Sequence, residues 1–212
     1  PKSIFYNGVQ ERQAVSEQIK ELEPGIFYMN TTTCSDVNWL KNMDKLARAK
    51  SVIYDFRFGG RLIDLIPHLT DSAVNSAWLN FPEITGPDRE NMTFEKTNWS
   101  MQPAPPRFKS KSIVLISPFN VSNNETVLGI IDAYKLATTV GSQTAGCNGD
   151  VNVIDLPCGY PVMWTGMKVL KHDGSRHHLI GFIPDYPVER TMKGLMEGRD
   201  EVLEKALEVA RQ

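Results

Sequence analysis

An excess of charge of either sign is missing from this sequence, and cysteine is scarce. Lys and Arg number 23 against 25 Asp and Glu in 212 residues, a formal net charge of -2. Proteins that grip phosphates carry a basic surface, so this balance argues against nucleic acid or an anionic membrane surface as partner. The three cysteines, Cys34, Cys147 and Cys158, are too few for a disulfide framework, and their spacing fits no zinc pattern. Cys147 and Cys158 flank a short predicted strand; free thiols are expected, with pairing across a hairpin as the alternative. No apolar run approaches the roughly 20 residues of a membrane span. Residues 146–149 are Gly-rich but lack the lysine and hydroxyl of a phosphate loop. The adjacent His177 and His178 have no cysteine or carboxylate pair to complete a metal set, so neither a metal nor a cofactor is expected. The chain starts at Pro1 with no signal segment, which reads as a processed chain or a piece of a longer one.

What is present fits a globular domain. Hydrophobic residues make up 41% and charged ones 23%, enough for a proper core at this length. Residues 9–23 read as a helix and 25–30 as an apolar, aromatic strand entered through Pro24-Gly25. Residues 35–49 form a helix with Ser35-Asp36 as its cap signature. A buried strand over 51–56 follows, then a helix over 61–69. Residues 80–107 break the pattern with five prolines, and are expected to form a long surface excursion. Strand 112–117, a helix after Ser122 and strand 138–141 resume the alternation. The stretches 151–156, 160–164 and 167–170 suggest antiparallel strands, and 199–211 a closing amphipathic helix. Strands alternating with helices predict an α/β protein with a mostly parallel sheet.

Three constellations carry chemistry. Ser122 sits at a strand-to-helix junction, where unpaired N–H groups and a positive dipole end favour an alkoxide and an oxyanion. An ordinary N-cap serine is the competing reading. The second is Asp55-Phe56-Arg57-Phe58-Gly59-Gly60 at the end of another strand. Its glycines let backbone N–H groups approach a ligand, while Asp55 and Arg57 read as an ion pair bracing the turn. The third runs from His172 to Asp185. His177 and His178 point to opposite faces of an extended segment, so one alone can serve a given site as base. Five Asn-x-Ser/Thr sequons occur; those at Asn120 and Asn124 crowd Ser122, and all are read as chance matches.

In this order the segments resemble the C-terminal processing (tail-specific) serine peptidases, and within them a tricorn-like branch found in the bacterial cell envelope. The resemblance rests on Gly25–Asn30 for the aromatic strand, and on Asp55, Arg57, Gly59 and Gly60. It rests further on Ser122-Asn123-Asn124-Glu125, on Val140, Gly141, Thr144 and Gly146, and on Asp173, Gly174, Gly181, Ile183, Pro184 and Asp185. It implies a Clp/crotonase-like fold, with a smaller antiparallel portion near the C-terminus. It implies Ser122 as nucleophile and the N–H groups of Gly59, Gly60 and Asn123 as the oxyanion hole. Residues 25–212 become the peptidase core and 1–24 a lead-in. The implied partners are a peptide or unfolded protein, including C-terminal tails bound as an added strand, with helical or PDZ-like domains N-terminal to this chain in its parent. An oligomer and a periplasmic or envelope location follow from the same resemblance.

The chain also departs from that pattern. Cys147 stands where the processing branch carries its lysine base, and a thiol cannot replace the amine. The histidine of the tricorn-like branch comes from an upstream segment, and no histidine precedes Gly25. His178 falls near an acidic position of the tricorn-like site, as candidate base or orienting residue. The expected function is therefore a serine peptidase core, with a catalytically silent peptide-binding relative as the alternative. A crotonase-like acyl-CoA enzyme is a fainter one, without a basic cluster for the CoA phosphates.

Overall fold

A computed structural model describes residues 18–88 and 90–212. Its centre is a six-stranded sheet. The chain enters through β1 (Ile19–Glu23), which pairs antiparallel with β2 (Ile26–Asn30). Helix α1 (Asp36–Ala47) then leads to β3 (Ser51–Asp55), which lies parallel to β2. Ser35 caps α1, accepting the N–H of Asn38 at 3.3 Å. The helical reading of 9–23 is corrected over 19–23, which is strand; residues 9–17 lie outside the described residues. Alternation explains the difference, because Ile19 and Leu22 are half-buried against the sheet's two cores and the segment bonds along β2.

After β3 come a 3-10 turn (Arg61–Leu65) and the short helix α2 (Ile66–Leu69). Residues 80–107 are not the structureless excursion their prolines predict. Strand β4 (Val74–Asn75) pairs with β7 (Ser100–Met101), and β5 (Trp78–Glu83) forms a hairpin with β6 (Thr93–Thr97). Pro82 is tolerated in β5 because it lies beyond the end of the strand on its other side, whose register stops at Asn80. The chain returns to the main sheet with β8 (Lys111–Ile116), helix α3 (Asn123–Tyr134) and β9 (Thr138–Gly141). A hairpin of β10 (Val151–Leu156) and β11 (Tyr160–Thr165) projects next, and β12 (Lys168–Leu170) joins β5. Strand β13 (Tyr186–Pro187), α4 (Met192–Met196) and α5 (Glu201–Arg211) complete the chain.

The sheet order is β1-β2-β3-β8-β9-β13, parallel except for β1. Period-two alternation divides its side chains between two cores. Phe27, Met29, Val52, Tyr54, Val114 and Ile116 face α1, α2 and α3. Ile26, Ile53, Ile113, Leu115 and Val140 face Val202, Ala206 and Val209 of α5. Each large side chain so buried contributes about 1.5–3 kcal/mol. Ala206 has no exposed surface, so a glutamate there would place a charge between helix and sheet. The result is a three-layer α/β/α architecture, as the sequence leads one to expect.

Candidate active site

The carboxyl ends of β3 and β8 are fastened together before any reactive group appears. Asn120 is fully buried. Its amide donates to the Phe56 carbonyl at 2.7 Å, and its side-chain oxygen accepts the N–H of Ser117 at 2.9 Å. The Ser117 hydroxyl donates to the Arg57 carbonyl at 2.5 Å. These bonds fix the loop that ends at Ser122.

Ser122 has φ 54 and ψ -124, a backbone region that costs a residue with a Cβ about 1–3 kcal/mol. Its N–H is donated to the Cys147 carbonyl at 2.6 Å, and its C=O accepts from Glu125 and Thr126 at 2.9 and 3.1 Å. Its hydroxyl makes no capping bond to α3, in contrast to Ser35. The N-cap reading of Ser122 therefore fails in its usual sense: the residue occupies the cap position and leaves its exposed hydroxyl free of the helix. Within the first turn, the N–H groups of Asn124, Glu125 and Thr126 find backbone acceptors. That of Asn123 has none among the described residues, and so remains an available donor beside Ser122.

Gly59 and Gly60 meet this corner differently. A Cβ on Gly59 would lie 2.6 Å from the side-chain nitrogen of Asn124, so the two strand-end turns are in contact. The N–H of Gly59, however, is donated to Phe56 at 2.8 Å. Gly59 thus serves by lacking a side chain, a correction to its expected part as oxyanion donor. The N–H of Gly60 has no acceptor among the described residues. A Cβ on Gly60 would come within 2.2 Å of the Thr31 carbonyl, and its φ is 115.

Behind the serine lies a carboxylate. Glu125, one helical turn on, is buried and accepts four bonds. These come from the Thr144 hydroxyl at 2.5 Å, the N–H of Gly146 at 2.7 Å, that of Cys147 at 2.8 Å and His177 Nε2 at 3.0 Å. Burial raises its pKa, but the bonds from His177, Thr144 and Gly146 outweigh it and hold the carboxyl below its ordinary value. The acid stays ionised, and since a carboxylate only accepts, His177 Nε2 carries a proton.

His178 makes no hydrogen bond to Ser122 among the described residues. Its Nε2 accepts the N–H of Val169 at 3.1 Å, and it also interacts with the Met167 backbone. Burial, then His177, pushes its pKa down, so the ring is neutral near pH 7. The adjacent histidines diverge as expected, with His177 buried on Glu125. Cys147 is exposed and, like Cys34 and Cys158, free. Sequence reasoning passed over Asn120 and gave Glu125 no task. The Ser-x-x-Glu spacing was the available signal, but that pattern equally marks a helix cap.

A second feature adjoins the same strand ends. Asp55 and Arg57 form the expected ion pair at 2.6 Å, and Arg57 also grips Asp200, the cap of α5, at 2.8 Å. Burial raises the pKa of Asp200, but Arg57 more than offsets this and holds it below the usual carboxylate range. The network floors a cavity of about 470 Å³ lined by Tyr28, Phe58, Phe119 and Arg190 among others. The Phe58 and Phe119 rings lie 5.4 Å apart. Cavities at the carboxyl ends of parallel strands are the usual ligand positions of open α/β sheets.

The sequence pattern of peptidase family S41 matches residues 28–188. No curated protein matches the sequence. Among solved structures, a putative peptidase from Parabacteroides merdae ATCC 43184 is similar with TM-score 0.76 and 20% identity, over 97% of this chain and 70% of that one. Mature CPAF complexed with lactacystin gives TM-score 0.70 and 16% identity, over 88% of this chain and 52% of that one. The photosystem II D1 C-terminal processing protease gives 0.56 and 16%, over 82% and 48%. This chain thus spans about half the length of those last two proteins. At these identities the likeness is one of fold.

Proposed function

Because the chain belongs to peptidase family S41, we propose that it hydrolyses peptide bonds through an acyl-enzyme on Ser122. The observation that carries this reading is the backbone of Ser122, held at φ 54 with its hydroxyl unspent. Strain of this kind persists where surrounding bonds over-determine it, and it clusters at reactive positions. Ser122 Oγ attacks the scissile carbonyl, and the oxyanion is received by the N–H groups of Asn123 and Gly60. The Oγ proton passes through the base to the leaving amine as the intermediate collapses, and water then releases the acyl group as a carboxylic acid and restores the Ser122 hydroxyl. The substrate is an extended peptide or unfolded segment, C-terminal tails included, and the setting is the periplasm or cell envelope.

The base is the point on which a second reading turns. All four histidines have other bonds: His68 with Ala104 and Pro106, His172 with Asn75, His177 with Glu125 and His178 with Val169. We therefore assign the base to a segment outside the described residues, as the tricorn-like resemblance implies. Cys147 in the place of the lysine favours the alternative, a peptide-binding relative without catalysis.

The test is labelling of this chain and of the full-length gene product with a fluorophosphonate, followed by peptide mapping. Label on Ser122 in the full-length product alone is the expected result. Label in both would place the base within residues 1–212. Label in neither would overturn the peptidase reading in favour of the silent one.

A further inference from the structure

We infer that Glu125 is a positioning residue: backed by His177, its carboxylate imposes the strained backbone of Ser122 through the turn formed by residues 144–147. The catalytic half of this inference rests on the acyl-enzyme reading; the structural half stands without it.

The bonds close a ring. The N–H of Ser122 reaches the Cys147 carbonyl at 2.6 Å. The N–H of that same Cys147 reaches Glu125 Oε2 at 2.8 Å. Glu125 returns to Ser122 along one turn of α3, where its own N–H is donated to the Ser122 carbonyl at 2.9 Å. Ser122 is thus gripped at both its N–H and its C=O by groups that a single carboxylate fixes. Such closure is what holds a serine where glycine would sit more easily.

The chemistry of the clamp requires a carboxylate. Four donors converge on it, and an ionised carboxyl has about four lone-pair positions to receive them. Glutamine would offer one oxygen, and its amide would aim N–H groups at donors. A buried charge with fewer partners would be untenable. His177 completes the set, and it is anchored in turn. The carbonyl of His177 accepts from Ile180 and Gly181, while Leu179 donates to Gly146 at 2.8 Å. A Cβ on Gly146 would lie 2.6 Å from the nitrogen of Ile180. The 177–181 turn therefore packs closely on the 144–147 turn while its first residue, His177, holds Glu125. This gives buried His177 a task, which neither nucleophile nor oxyanion hole accounts for.

The deciding experiment is a double-mutant cycle on stability joined to labelling kinetics. Ser122→Gly removes the backbone strain, so in the Glu125 chain it should raise the folding constant about 5-fold. In the Glu125→Gln chain, where the clamp no longer imposes that conformation, the same change should have under about 2-fold effect. Equal effects in both backgrounds would overturn the inference, whether or not the protein has any activity. For labelling of Ser122 by a fluorophosphonate in the full-length product, Glu125→Gln should lower the maximal rate about 100-fold with little change in probe affinity. A labelled wild type whose Glu125→Gln variant reacts at the same rate would also overturn it. Should Glu125→Gln fail to fold, His177→Gln and His177→Leu replace it in both measurements. Glutamine keeps a donor for Glu125 and should preserve the wild-type rate and the 5-fold gain, while leucine should lose both. Equal behaviour of those two variants would overturn the part assigned to His177.

Discussion

Ser122 and Cys147 meet through their backbones, N–H to C=O at 2.6 Å. The residue at the lysine's position thus touches the serine without using its side chain. Its thiol is exposed. Cys147→Ala should therefore leave fluorophosphonate labelling of Ser122 within about 2-fold of wild type, and stability within about 0.5 kcal/mol. A large loss of labelling would mean that the thiol itself takes part.

Ser122→Ala should abolish labelling and hydrolysis while shifting stability by less than about 1 kcal/mol, because the hydroxyl makes no cap bond. Chemical denaturation with intrinsic fluorescence gives the second number. Residual hydrolysis in the purified variant would remove Ser122 from the mechanism.

Arg57 lies between Asp55 and Asp200 with its side chain only 15% exposed. Removing it leaves two largely buried carboxylates without the cation that pairs both, so Arg57→Ala should destabilise by about 3 kcal/mol near pH 7. The loss should shrink as Asp200 becomes protonated in acid. Urea midpoints at pH 7 and pH 3.5 check both statements.

Acid should weaken the fold in two stages. The His178 pKa is lowered in the folded protein, so below about pH 6.5 the unfolded chain takes up this proton first and stability begins to fall. Glu125 and Asp200 are lowered as well. Their stabilisation is complete above about pH 4.5 and is lost as pH drops through their folded values. His178→Gln should abolish the first stage and leave the second. Thermal midpoints in steps from pH 8 to 3 would show it, and a single stage in the wild type would contradict it.

The β10–β11 hairpin exposes Tyr160 at 71% and Met163 at 65%. Since among the described residues its strands pair with each other and with no further strand, replacing both residues by lysine should leave stability within about 0.5 kcal/mol. A drop of several kcal/mol in thermal unfolding would show that this surface packs on something in solution.

The layers of the fold were legible because β2, β3 and β8 alternate cleanly between two apolar faces, and such a pattern has few solutions. The β5–β6 hairpin was not, since its prolines read as loop until the register shows Pro82 beyond its neighbour's end. At the site, Ser122 was marked by its junction and by the motif around it. What escaped were the bonds made across long stretches of chain. Nothing in the spacing of Asn120 and Phe56, or of Glu125 and His177, says that they touch. Nor does the pair of glycines reveal that the N–H of Gly59 is already donated to Phe56.

The stitching of α5 to the sheet bears on how the chain acquires its shape. Ser51 and Lys111, at the starts of β3 and β8, donate to the carbonyls of Ala210 and Val209 at 2.9 and 2.7 Å. Contacts this distant in sequence form late. While the polypeptide is being synthesised, the face carrying Ile26, Ile53, Ile113 and Leu115 stays bare until residues 201–211 emerge. A ribosome stalled before Glu201 would hold a half-covered sheet, a natural substrate for chaperones.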